Sequence, residues 1–110
     1  KINIISHKTL YPYCGKKINL HKSSRKWIAK NIKKQLRKKI KFYFEKTEKK
    51  KILRIKQTNC NIFIDDLESI LKRLPLKTSK ILFSPEKKTS IKETNFTVIR
   101  SWEELHKVLI

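Results

Sequence analysis

Glycine occurs once and proline three times in 110 residues, which excludes a collagen-like chain and a Pro/Gly-rich disordered one. Cysteine occurs twice, at Cys14 and Cys60. Two thiols so far apart are too few for a disulfide framework and match no metal knuckle, so both are read as reduced. No apolar run approaches the roughly 20 residues needed to cross a bilayer, and the opening KINIIS is too short for a signal-peptide core. No membrane partner is indicated, and a cytoplasmic location is the expectation. With 38% hydrophobic and 35% charged residues, the chain is expected to form one small α/β domain over residues 1–110 with a thin core. It opens on Lys1 rather than Met, and a preceding segment is expected.

Acidic residues are also scarce: nine Asp and Glu stand against 29 Lys and Arg, for a net charge of +20. Such a balance attracts polyanions without sequence preference. Yet 24 of the cations are Lys, and they accompany 16 Ile, a single Ala and two Val, the pattern an A/T-rich coding sequence imposes on any protein. Nucleic acid is therefore an alternative partner and not the favoured one. The chain shows no aromatic-interleaved RNA-binding signature and no zinc-finger spacing. His7, Cys14 and His21 recur every seven residues, but with Cys60 they match no compact zinc motif, and packing is the better account of Cys60.

Apolar periodicity suggests strands alternating with helices. Ile2–Ile5 is a β-branched run that delivers the polar residues Ser6, His7, Lys8 and Thr9 into a loop. Asn19 is a helix N-cap, and Leu20, Trp27, Ile28, Ile32 and Leu36 mark one amphipathic helix with Lys26, Lys30, Lys33, Lys34 and Arg37 on its basic face. Ile40–Phe44 reads as a short strand. Thr47 caps a helix running through Ile52, Leu53 and Ile55 to about Thr58. Cys60–Ile64 reads as an inner strand ending at Asp65 and Asp66, and a helix over Leu67–Leu74 is stopped by Pro75. Strands at Ile81–Phe83 and Phe96–Ile99 follow, then a helix over Trp102–Leu109 with Ser101 and Glu104 in capping-box positions. This alternation predicts a mainly parallel sheet.

Ligands of open α/β sheets sit at the carboxyl ends of strands, where this pattern places Ser6 and the Asp65/Asp66 pair. Adjacent carboxylates repel unless a cation compensates, and an oxygen-only pair with open positions suits Mg²⁺. Either aspartate could instead cap the helix that follows. A strand-end hydroxyl can bind a phosphate oxygen, and a lysine can neutralise a transferring phosphoryl group.

Taken in order, INIISHKT with Tyr11, Pro12 and Gly15 behind it, then LHKSSRKWI, FEKTEKKKILRI, CNIFIDDL, ILFSP and SWEEL, the chain resembles the haloacid dehalogenase-like hydrolase superfamily from Ile2 to Leu109. The resemblance implies a Rossmann-like three-layer sandwich and a Mg²⁺-dependent phosphohydrolase acting through an aspartyl-phosphate on a phosphorylated small molecule. It assigns Ser6 to the second motif, beside His7 and Lys8 as phosphate-binding residues. Lys51 takes the third-motif role, within a residue or two given Lys49 and Lys50. Asp65 and Asp66 take the fourth motif as Mg²⁺ ligands, Asp66 the closer. No third carboxylate stands at Ile70 or Leu71. The first motif, Asp-x-Asp, which supplies nucleophile and acid/base, is absent: the chain has no Asp besides Asp65 and Asp66. The fold is thus expected to lack its N-terminal strand and a cap, and this chain alone is expected to be inactive. A basic polyanion-binding module and a pseudoenzyme remnant are the alternatives.

Overall fold

The computed structural model describes residues 1–86 and 95–109. It is an α/β protein with parallel strands in two small sheets, of two and three strands. By its contacts the chain divides into two compact units, Lys1–Thr58 and Asn59–Ile110.

The first unit contains β1 (Ile2–His7), α1 (Leu20–Asn31), α2 (Lys34–Arg37), β2 (Ile40–Glu45) and α3 (Glu48–Thr58). β1 and β2 pair in parallel from Ile2 opposite Ile40 to His7 opposite Glu45. The helices between them form the crossover that parallel strands require. β1 outlasts the expected strand by two residues. Ser6 lies opposite Phe44, and the Lys8 amide still donates to the Glu45 carbonyl at 2.7 Å. Pairing with the Phe44–Glu45 end of β2 overrides the weak strand preference of Ser and His.

The long helix expected through Leu36 is broken. Asn19 caps it as read, its Oδ1 accepting from the Lys22 amide at 2.9 Å, but α1 ends where Ile32 turns extended (φ −106°, ψ 126°). In a continuous helix Lys30 and Lys34 would be a like-charged i,i+4 pair, which is destabilising. Asn31 adds a weak helix former whose side chain bonds the Trp27 carbonyl at 2.9 Å. The Arg37 guanidinium then donates back to the Ala29 carbonyl. The expected apolar stripe is not buried either: Trp27 is 61% and Leu36 52% exposed. The half-buried face is Leu20, His21, Ser24 and Ile28, at the i, i+4, i+8 positions that share a helix side.

α3 forms as its sequence dictates. The Thr47 hydroxyl accepts from the Lys50 amide at 3.1 Å, Glu48 occupies the first turn, and Ile52 and Ile55 are buried three residues apart, on the side that packs against β1 and β2. Asn59, at φ 51°, ends the helix in a left-handed conformation that Asn tolerates well.

The second unit contains β3 (Ile62–Asp65), α4 (Glu68–Leu71), β4 (Ser79–Phe83), β5 (Phe96–Ile99) and α5 (Trp102–Leu109). Its sheet runs β3-β4-β5, all parallel. β3 therefore lies at one end of the described sheet rather than inside it, and it begins at Ile62 instead of Cys60. β4 is central and buried at Lys80, Ile81 and Leu82. The Lys80 ammonium is satisfied by the carbonyls of Pro75 (3.1 Å) and Thr78 (3.3 Å). α4 is shorter than its apolar pattern suggests. Beyond Leu71 the chain tightens, with the Arg73 and Leu74 amides bonding carbonyls three residues back. Ile70, Leu71 and Leu74 are nonetheless buried. Ser101 Oγ caps α5 through the Glu104 amide at 3.3 Å, and the Glu104 carboxylate reaches back to the Arg100 amide at 2.6 Å, one residue beyond the usual capping-box donor.

Ile55 is 1% exposed and Leu71 is fully buried. Ile55→Ala and Leu71→Ala should each cost about 2–5 kcal/mol in urea unfolding. A loss under ~1 kcal/mol at either position would mean that its core is looser than described.

Candidate functional site

In the first unit, parallel pairing places the last ladder pairs, Ser6/Phe44 and His7/Glu45, at one edge. Ser6 is half-buried and His7 exposed. The strand extension changes Ser6 from a loop residue to a strand residue, so it shares a sheet face with its ladder partner Phe44, as in-register parallel neighbours do. Lys51 lies in the first turn of α3, half-buried, its amide bonded to the Thr47 carbonyl at 3.0 Å. Because α3 follows β2 by two residues, that turn starts at the same carboxyl edge. Lys8 is anchored through its backbone: its amide donates to Glu45 and its carbonyl accepts from His21 Nε2 at 2.5 Å.

The sequence gives Arg25 no role, and His21 enters it only through the seven-residue spacing with His7 and Cys14. His21 and Arg25 stand four apart on α1, hence on one side of it. The His21 ring tilts against Phe44 with centroids 5.8 Å apart, and the Arg25 guanidinium lies 5.1 Å over the same ring. The signal available was an i,i+4 His/Arg pair at the start of a helix that follows a strand-end loop.

In the second unit, Asp65 and Asp66 stand at the carboxyl end of β3. They differ in environment. Asp65 is 8% exposed, pairs in register with Leu82, and accepts from the Leu67 amide through Oδ1 at 3.0 Å. Asp66 is exposed. One carboxylate thus supports the turn into α4, and its neighbour presents oxygens outward. Mg²⁺ takes one or two carboxylates and completes its octahedron with water and phosphate oxygens, so the pair fits such an ion with Asp66 as the more available ligand. Among the described residues, no group of three or more His, Cys, Asp or Glu gathers as a metal-binding cluster. Cys14 is exposed and Cys60 partly so, both as free thiols.

A cleft of about 160 Å³ lies on the α3 side of β1–β2, lined by Lys1, Asn3, Tyr43, Arg54, Gln57 and Thr58. Arg54 is committed there to Glu45 at 2.8 Å and to the face of Tyr43 at 4.6 Å, and Asn3 Oδ1 is buried without a partner. Lys1 and Asn3 put this cleft at the amino end of β1, away from Ser6.

Among the described residues, no helix is long and apolar enough to cross a membrane. Comparison with protein-family models, curated proteins and solved structures finds no match to the chain.

The unequal roles of the two aspartates are testable without any ligand. Asp65→Ala should lower stability by about 1–2 kcal/mol, because it removes a buried acceptor from a turn amide. Asp66→Ala should stay within ~0.5 kcal/mol, as for an exposed surface site. Equal losses in chemical denaturation would refute the division of labour.

Proposed function

We propose that this chain is the phosphoryl- and metal-binding portion of a Mg²⁺-dependent phosphohydrolase of the haloacid dehalogenase-like kind. One observation carries the reading. Ser6, the start of the Lys51 helix and the Asp65/Asp66 pair each lie at the carboxyl end of a parallel strand in their own unit, the edge where α/β proteins bind ligands. In this reading Ser6 donates to a phosphoryl oxygen, with His7 and Lys8 beside it. Within the first unit Lys51 would neutralise charge on that group, and within the second Asp66, with Asp65, would hold Mg²⁺, which would supply positive charge for phosphoryl transfer.

None of these groups attacks phosphorus, so the nucleophilic aspartate comes from a strand outside this sequence. Support for such a strand is that β1 pairs only with β2 and β3 only with β4 among the described residues. Each is a parallel strand with one edge open to a further strand.

Mg²⁺ should raise the thermal midpoint of the chain by mass action, and inorganic phosphate should raise it further. Asp66→Asn should abolish the Mg²⁺ increment, and Lys51→Ala the phosphate increment. The chain by itself should not turn over p-nitrophenyl phosphate. A midpoint indifferent to Mg²⁺ and phosphate would sink the reading. Turnover abolished by Ser6→Ala would sink the assignment of an external nucleophile.

A second reading, a basic module for nucleic acid, draws on the exposed Trp27 set among exposed Lys22, Arg25, Lys26 and Lys30 on a helix with no acidic residue. It predicts RNA affinity that falls by orders of magnitude between about 50 and 200 mM salt and weakens in Trp27→Ala. Absence of binding at low salt removes it.

A further inference from the structure

Beside the half-buried His21, the exposed Arg25 has a placement that helix capping does not explain. α1 has no acidic residue in its first turn, and Arg25 meets no carboxylate among the described residues. Its guanidinium instead lies over Phe44, the in-register neighbour of Ser6. A guanidinium resting on an aromatic face keeps its charge and its planar donor edge available. The first turn of α1 is also fastened to that strand edge. The Leu20 amide bonds the Leu10 carbonyl at 2.7 Å, closing the intervening loop, and His21 Nε2 donates to the Lys8 carbonyl. The carbonyl can only accept, which fixes Nε2 as the protonated nitrogen of this bond. His21 thereby orients the helix side that carries Arg25 one turn further on.

Resting on the phosphohydrolase reading, we infer that Arg25 receives a second anionic group of the substrate, so that the substrate is a phosphomonoester bearing another phosphate or a carboxylate. Ser6 and Lys51 serve the phosphoryl group at the carboxyl edge of β1 and β2. Arg25, over the neighbouring Phe44, offers a fork of N–H donors suited to a second planar or tetrahedral anion. His21 is a positioning residue, acting through the placement of α1.

The test uses calorimetric titration of the chain with Mg²⁺ at 150 mM salt, comparing ethyl phosphate, 2-phosphoglycolate and 1,3-propanediol bisphosphate. At least one two-anion ligand should bind about tenfold or more tighter than ethyl phosphate, the increment of a charge-assisted hydrogen bond. Which of the two does so identifies the second group as carboxylate or phosphate. Arg25→Gln should erase the preference and leave the ethyl phosphate Kd unchanged, a split that mere unfolding would not give. Arg25→Lys should recover only part of it. His21→Ala should reduce the preference, and His21→Gln, which can still donate to the Lys8 carbonyl, should restore much of it.

Equal affinity for all three ligands in the native chain overturns the inference, and leaves the phosphohydrolase reading standing if ethyl phosphate binding is lost in Ser6→Ala. A preference that depends on Arg25 but is insensitive to Ser6→Ala and Asp66→Asn upholds an anion site and overturns the phosphohydrolase reading. Displacement by a short RNA, with Arg25→Gln and Lys26→Gln equally damaging, assigns the helix to a polyanion and overturns the inference. No measurable binding of any of the ligands overturns both.

Discussion

Parallel pairing of β1 with β2 is the constraint from which the rest of the first unit follows. Two parallel strands cannot be joined by a tight turn, so the chain must cross over through α1 and α2 and re-enter at the same end. Both strands then finish at one edge, which receives Ser6, His7, Lys8, the start of α3 and the first turns of α1. The ladder also sets which side chains share a face. Ser6 travels with Phe44, and only because of that register do residues of α1 that touch Phe44 become neighbours of a candidate phosphate-binding strand. β3-β4-β5 repeats the logic in the second unit, where Asp65 lies beside Leu82 and both strands deliver their ends to one edge.

What local chemistry determines was legible in the sequence. Asn19, Thr47 and Ser101 cap the helices they precede, because a side-chain oxygen three residues before an unpaired amide needs no tertiary help. β5 is bounded as its apolar run suggests, and α3 follows its Ile52/Ile55 spacing. What depends on a distant partner was not legible. Ser6 and His7 are strand residues only because Phe44 and Glu45 lie opposite. Lys80 precedes the strand expected at Ile81–Phe83, yet it is buried in β4, where two carbonyls from the Pro75–Thr78 turn meet its ammonium. The break after Asn31 parts Lys30 from Lys34 and follows a weak helix former, small local costs that an apolar-periodicity argument does not count.

The candidate site divides along the same line. Asp65 and Asp66 look equivalent as letters, and the sequence offered capping and metal binding as rival roles for them. Their surroundings differ: the buried carboxylate bonds the Leu67 amide, while that of Asp66 is exposed. The turn into α4 thus uses Asp65, and the proposed metal role falls chiefly on Asp66. Arg25 has no mark in the sequence because a Lys-rich helix makes it one cation among many. Only the Phe44 ring tells Arg25 apart from Lys26 beside it.

That distinction bears on the meaning of +20. Net charge raises the local concentration of any anion and acts over a distance set by ionic strength, about 8 Å at physiological salt. It cannot choose between a phosphate, a carboxylate and a nucleic acid backbone. Selection requires donors held at fixed positions, which costs conformational entropy unless the scaffold has already removed it. Lysines on exposed helix faces have not lost that entropy. Arg25 has lost part of it to Phe44, and the helix turn that carries it is tied to Lys8 through His21. In the proposed reading the surplus lysines supply attraction in general, and a cation with fixed neighbours supplies the discrimination. Charge count and charge function are then separable here, and the aromatic contact is the feature that separates them.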